Sequence, residues 1–273
     1  MMIPFVKAHA CGNDFLVVEE QYAHGRHAAL ARLLCQRNTG VGADGVEFLD
    51  RCADDSLFLR LFNADGSEAE LSGNGTRCVA AWLVYSERLR EVTLGTHGGP
   101  RTCRVVESKG EHFLIETSMG TPHVHEQTVD VPGVGAVAGA VVDVGNPHFV
   151  LFTDDAGFSA HGLSWEDLGA RICTHPAFPH GTNVEFVRVL SPSDVHFRIF
   201  ERGVGPTQSS GTGTSASAAA SIVLRGCDRA LTAASLGGAQ QVTWHEGEPL
   251  MLTGPADIIC TGQASVQALE QTA

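Results

Sequence analysis

Residues 60–82 read RLFNADGSEAELSGNGTRCVAAW, and residues 198–220 read RIFERGVGPTQSSGTGTSASAAA. Laid over one another at a constant offset of 138 residues, they need no gap. Arg60 falls on Arg198, Phe62 on Phe200 and Ser72 on Ser210; Gly73, Gly75 and Thr76 fall on Gly211, Gly213 and Thr214; Ala80 and Ala81 fall on Ala218 and Ala219. Each copy is a β-like run, a polar loop, and then Ser-Gly-x-Gly-Thr opening an alanine-rich stretch at helical spacing. A second pair supports the first: Gly12-Asn13-Asp14-Phe15 recurs as Gly145-Asn146-Pro147-His148-Phe149. The period is far too long for a solenoid, so the chain reads as two similar halves.

With 273 residues, two domains of ordinary size fit the length. The halves are read as residues 1–119 and 120–259, with 260–273 a candidate to return to the first half. Composition is that of a soluble globular chain, 43% hydrophobic and 18% charged. A net charge of −13 argues against nucleic acid and anionic membrane as partners. It leaves room for a small anion, because local backbone dipoles outweigh a global field at short range. The start, MMIPFVKAHACGNDF, has no basic region followed by an apolar run, and no stretch approaches ~18 apolar residues. Neither signal peptide nor membrane span is expected. The eight cysteines are scattered without a CxxC pair, which favours a reducing, cytoplasmic setting over a disulfide framework.

Along the chain, strands are expected at 3–8, 15–19, 46–49 and 57–62, with a helix over 24–37 ended by Asn38-Thr39-Gly40. The first signature helix is expected from Asn74 to about Arg88. A meander of strands follows at 91–96, 101–107 and 111–117. Residues 120–138 are rich in Pro, Gly and Val, and the crossing between halves is expected near their start. Strands at 139–144, 148–152, 183–189 and 194–200, a helix at 164–171 and strands within 231–262 complete the second half. The helix 214–224, TSASAAASIVL, has no charge on any face, and a helix without a polar side is wrapped by other elements.

A helix start preceded by glycines presents unpaired N–H groups and the positive end of the helix dipole, which together favour an anion. Neither loop has the GxGxxG spacing of a dinucleotide site or a P-loop lysine. One Ser-Gly-x-Gly-Thr is as well explained by a capped helix start; two matched copies point to a shared small anion such as a carboxylate.

FVKAHACGNDF, GVGADG, FNADGSEAELSGNGTRC, GNPH, Asn183 before a strand, and ERGVGPTQSSGTG occur in that order along nearly the whole chain. In this ordered set the chain resembles the diaminopimelate epimerase family. The resemblance implies an α/β (α+β) fold of two similar halves, each a mixed, largely antiparallel sheet rolled around a central helix, with the active site in the cleft between them. It implies a cofactor-independent enzyme that inverts the α-carbon at one end of a diamino diacid, LL- to meso-diaminopimelate, on the way to lysine and cell-wall precursors. One cysteine of each half then serves as thiolate base or thiol acid.

Carried over residue by residue, those cysteines are Ser72 and Ser210. Glu201 and His148 match positions that assist the catalytic pair. Asn13, Asn63, Asn146, Asn183 and Arg202 match positions that hold the polar ends of the substrate. Gly73, Asn74, Gly211 and Thr212 match the donors to the reacting carboxylate. Pro206 stands where the family often has Glu. A serine hydroxyl is several units less acidic than a cysteine thiol, and each unit costs ~1.4 kcal/mol in making the base. A helix end returns only about 0.3–1 kcal/mol. Activation by a neighbouring base such as Glu201 or His148 is one remedy. Altered chemistry on the same scaffold (racemisation of another amino acid, a hydroxyproline-type dehydration or isomerisation) and ligand binding without turnover are the competing readings.

Other side chains carry less. Cys11 and Cys78 are read as small buried hydrophobes rather than substitute thiols. His123 and His125 lack a third ligand at useful spacing, so no metal is expected and the pair is read as a solvated strand. No cofactor is expected. The expected partner is a small-molecule amino-acid substrate, and a homodimer is a candidate assembly.

Overall fold

The structure, a computed structural model, describes residues 2–266. The chain divides into two compact units. One runs through Thr117 and takes up the chain again from Gly254; the other is Ser118–Thr253. Of the expected returning segment 260–273, residues 267–273 lie outside the described residues.

The first unit contains β1 (Met2–Ala10), β2 (Asn13–Glu19), α1 (His27–Cys35), β3 (Gly45–Arg51), β4 (Leu57–Asn63), the short β5 (Glu68–Ala69), α2 (Gly73–Glu87), β6 (Glu91–Gly95), β7 (Arg101–Lys109) and β8 (His112–Ser118). β1 pairs antiparallel with β2, β2 parallel with β3, β3 antiparallel with β4, and β4 parallel with β6; β6, β7 and β8 form a meander. β2 reads NDFLVVE, an almost unbroken apolar run, because it is covered on both faces as parallel-paired strands are. Phe15 and Val17 pack with the helix α2 residues Val79, Ala80 and Leu83. Leu16 and Val18 pack with Leu30 and Leu34 of α1 on the opposite face. A buried side chain such as Leu83 contributes about 1.5–3 kcal/mol.

The second unit contains β9 (His123–Val131), β10 (Gly135–Asp143), β11 (Pro147–Phe152), α3 (Trp165–Cys173), β12 (Asn183–Ser191), β13 (Asp194–Glu201), the short β14 (Gly205–Thr207), α4 (Gly211–Arg225), β15 (Ala230–Ser235), β16 (Gly238–Thr243) and the start of β17 (Met251–Ser265). Its pairings repeat those of the first. β10 pairs antiparallel with β11, β11 parallel with β12, β12 antiparallel with β13, and β13 parallel with β15. Thr253, Leu252 and Met251 extend β16. The far end of β17 belongs to the first unit, where residues Asp257–Ser265 pair with β1, and Ile258 N–H donates to Glu111 O.

The two central helices are the inner surface of each rolled sheet. α4 is buried from Gly211 through Ile222 and packs against β9 through β13, β15 and β16. Ala218, Ala219 and Ala220 have no exposed surface; larger side chains there would hold the surrounding strands away. Gly226, at a φ of 67°, ends the helix in the left-handed conformation that glycine adopts without strain.

One expectation is corrected. The helix expected over 24–37 is confined to His27–Cys35, because His24 and Gly25 adopt φ of 48° and 75°, outside the helical region. Residues 120–138, assigned no element from the sequence, begin just after the start of the second unit at Ser118. They form most of the β9–β10 hairpin, paired from His123↔Asp143 to Val131↔Gly135. Pro132 and Gly133 make its turn, and the exposed polar positions of β9 hide the alternation that marks a strand. His123 and His125 sit exposed on that strand.

Candidate active site

Each Ser-Gly-x-Gly-Thr loop is built by the same local physics. Ser72 is the N-cap of α2, with extended backbone (φ −124°, ψ 120°), and its Oγ accepts the Gly75 N–H. Thr76 donates both its N–H and its Oγ1 to Ser72 O. Ser210 is the N-cap of α4 (φ −143°, ψ 130°); its Oγ accepts the Gly213 N–H, and Thr214 donates both groups to Ser210 O. Ser72 is half-buried and Ser210 buried. Among the described residues, neither serine hydroxyl is hydrogen-bonded to a carboxylate, imidazole or amine. Glu201, expected to assist, ends β13 and accepts from Thr207 Oγ1 at 2.8 Å.

In the first unit Asn74 joins the loop to Asn13. Asn74 Nδ2 donates to Asn13 Oδ1 at 3.1 Å, Arg77 Nη2 donates to Asn74 Oδ1 at 2.6 Å, and Asn13 Nδ2 donates to Asp44 Oδ2 at 2.8 Å. Asp44 and Asp14 share Arg37, and Lys7 adds a second cation to Asp14. Burial acts to raise the Asp14 carboxyl, but Arg37 and Lys7 outweigh it and hold it below the usual range. Asn63 closes the tight turn after β4, donating Nδ2 to Ser67 Oγ at 3.0 Å.

In the second unit the corresponding pair is Asn146 and Thr212, with Asn146 Nδ2 donating to Thr212 Oγ1 at 3.4 Å. His148 has no exposed surface; it lies behind Asn146, bonded through Nε2 to Asn146 Oδ1 at 2.9 Å and through Nδ1 to Glu185 Oε1 at 2.6 Å. Asn183 ties strand starts together: Nδ2 donates to Pro147 O, and Oδ1 accepts the Arg202 N–H. Arg202 Nη1 donates to His180 O. Within each unit, then, the structure gathers the serine, the loop donors and the N-terminal asparagine of the repeat at the start of the central helix.

Two residues at these helix starts escaped the sequence reading. Glu47, on β3, is buried with its carboxyl against Gly75, and burial pushes it up to about 8. Glu185, on β12, stands against Gly213, and burial pushes it up as well, opposed by His148. The signal was present: Glu47 and Glu185 are related by the same 138-residue offset as the serines.

Among the described residues no group of His, Cys, Asp and Glu side chains is arranged to hold a metal ion. Among the described residues no helix is long and apolar enough to cross a membrane.

The chain matches the family model described as diaminopimelate epimerase over residues 5–125 and 140–259. Proteins named diaminopimelate epimerase from Desulforudis audaxviator and Pelotomaculum thermopropionicum are 38% and 35% identical, each match covering 95% of this chain and 98% of the relative. Among solved structures, a probable proline racemase from Agrobacterium radiobacter superposes with a TM-score of 0.72 at 19% identity, covering 97% of this chain and 93% of the other. A hydroxyproline epimerase from Agrobacterium vitis gives 0.71 at 18%, covering 96% and 90%. At such identities these two establish likeness of fold.

Proposed function

Because the chain belongs to the diaminopimelate epimerase family, an isomerase family, we propose that it inverts an amino-acid α-carbon without a cofactor, with LL-diaminopimelate as substrate and the meso form as product. The observation that supports this reading is the twin N-capped helix start, each with its asparagine partner, Asn13 with Asn74 and Asn146 with Thr212. The N–H groups and dipole at the first turn of a 15-residue helix are suited to a carboxylate. Asn63, Asn183 and Arg202 are the proposed holders of the remaining polar ends.

Inversion requires one group to take the α-proton and another to deliver a proton to the opposite face, with the electron pair held on carbon and carboxylate in between. Ser72 and Ser210 are the proposed groups. The cost of a serine base falls on the first step. Each pKa unit lost relative to a thiol adds ~1.4 kcal/mol, roughly tenfold in rate. The activity is accordingly slow rather than absent, and a cytoplasmic place in lysine and cell-wall precursor synthesis follows from this reading.

The test is incubation with LL-diaminopimelate in D2O, following the α-proton by NMR. Wash-in of deuterium at the α-carbon supports the epimerase. A second reading, ligand binding without turnover, is favoured by the absence of any charged partner on either serine hydroxyl among the described residues. Saturable binding with no exchange is its signature and sinks the first.

A further inference from the structure

In the second unit an uninterrupted row of side-chain hydrogen bonds leads from a buried carboxyl to Ser210. Glu185 Oε1 and His148 Nδ1 are 2.6 Å apart, and neither side chain has exposed surface. His148 Nε2 meets Asn146 Oδ1 at 2.9 Å. Asn146 Nδ2 reaches Thr212 Oγ1 at 3.4 Å, and Thr212 Oγ1 lies 3.3 Å from Ser210 Oγ. Glu185 Oε1 also lies beside Gly213, whose N–H donates to Ser210 Oγ at 3.2 Å.

Donor and acceptor rules give the row a direction. An amide oxygen only accepts, so His148 Nε2 carries a hydrogen. Nδ1 then either donates to a Glu185 carboxylate or, in a neutral ring, accepts from Glu185 as a carboxylic acid; two observations favour the second. Burial pushes the Glu185 carboxyl up, against the opposing effect of His148. Its Oε2 has no hydrogen-bond partner among the described residues, a vacancy that costs a neutral acid less than a carboxylate. An amide nitrogen only donates, so Thr212 Oγ1 accepts from Asn146, and in the arrangement proposed below its own proton turns to Ser210. The Ser210 oxygen thereby receives two hydrogens, from Thr212 and Gly213, and a hydroxyl has two acceptor sites. What Ser210 has left to offer is its proton.

The first unit lacks this row. Strand pairing places Phe15 opposite Gly45 as His148 is opposite Asn183, so Phe15 occupies the histidine's position. Asn74, at the place of Thr212, donates to Asn13 instead. Among the described residues Ser72 Oγ takes only the Gly75 N–H and keeps an acceptor site.

We propose that Glu185 is a positioning residue for Ser210: through His148, Asn146 and Thr212 it fixes Ser210 as a hydrogen-bond donor toward the bound amino acid. The inference rests on the proposed function for the identity of that amino acid, and on the geometry alone for the direction of the row.

Two measurements test it. In protein labelled with 15N-histidine, with the His148 signals identified by their loss in H148F, the ring is the single Nε2–H tautomer. E185Q preserves that state, because the glutamine N–H still donates to Nδ1, whereas E185L loses it. In calorimetric titration with LL-diaminopimelate, T212V weakens binding roughly tenfold, the loss of one hydrogen bond, and T212S recovers most of it. An Nδ1–H tautomer, an imidazolium, or unweakened binding by T212V overturns the proposal. If the wild-type protein does not bind LL-diaminopimelate, the substrate assignment fails, and the tautomer measurement still decides the direction of the row.

Discussion

The carboxyl of Glu47 rests against the backbone of Gly75, at the first turn of α2, and no cation pairs with it among the described residues. Burial alone raises it from 4.5 to about 8. A carboxyl whose folded value exceeds its unfolded value holds its proton longer in the native state, so the contribution of Glu47 to stability is fully present below pH 4.5 and is lost as pH rises to 8. The loss is on the order of 5 kcal/mol, at ~1.4 kcal/mol per unit. E47Q keeps the shape and cannot ionise. Its unfolding free energy should therefore fall less than that of the wild type between pH 5 and 8, as followed by denaturant titration. Parallel pH profiles for the two proteins would show that Glu47 ionises in the folded state without penalty.

Restoring thiols to both caps is the sharpest test of the proposed chemistry. S72C with S210C should raise α-proton exchange by orders of magnitude, because a thiol recovers several units of acidity at ~1.4 kcal/mol each. A folded double variant with no gain in exchange would mean that the surrounding groups no longer serve an α-proton transfer.

Much of the fold was legible because the offset between Arg60 and Arg198 carries whole elements with it. The parallel pairs β2 with β3 and β11 with β12 occupy matching places in the two units. The β9–β10 hairpin was not legible, since only Val129 and Val131 of β9 are buried and too few apolar positions remain to reveal a period of two. At the site, the serines and asparagines announced themselves by repetition. Glu47 and Glu185 did not, because a glutamate inside an apolar strand reads as an outward-facing residue until burial is known. The direction of the row ending at Ser210 depends on which atoms face one another, and sequence carries none of that.

The contact between Glu47 and Gly75 also predicts a packing cost. A Cβ on Gly75 would fall on the Glu47 carboxyl, so G75A forces that side chain to move within a closed core. Overpacking of this kind costs about 1–3 kcal/mol. The double variant E47A with G75A should be less destabilised than the sum of the single changes, by 0.5 kcal/mol or more on the scale of contacting residues, roughly. Additive losses in denaturant titrations would mean that the clash is relieved by backbone movement instead.

Asn74 should matter more to stability than the cap residue beside it. Ser72→Ala removes one acceptor from the Gly75 N–H at a half-buried site, a loss of about 1 kcal/mol. Asn74→Ala removes the acceptor of the Arg77 Nη2 bond at 2.6 Å and the donor to Asn13. Arg77 has no exposed surface, and its Nε and Nη1 already lack hydrogen-bond partners among the described residues. Burial lowers its pKa, opposed first by Cys11. Loss of a hydrogen bond to a charged group costs about 1.5–3 kcal/mol, so N74A should be the more destabilised variant by roughly 1 kcal/mol or more. Equal losses in chemical denaturation would place the compensation for the Arg77 charge elsewhere, with Cys11 as the nearest candidate.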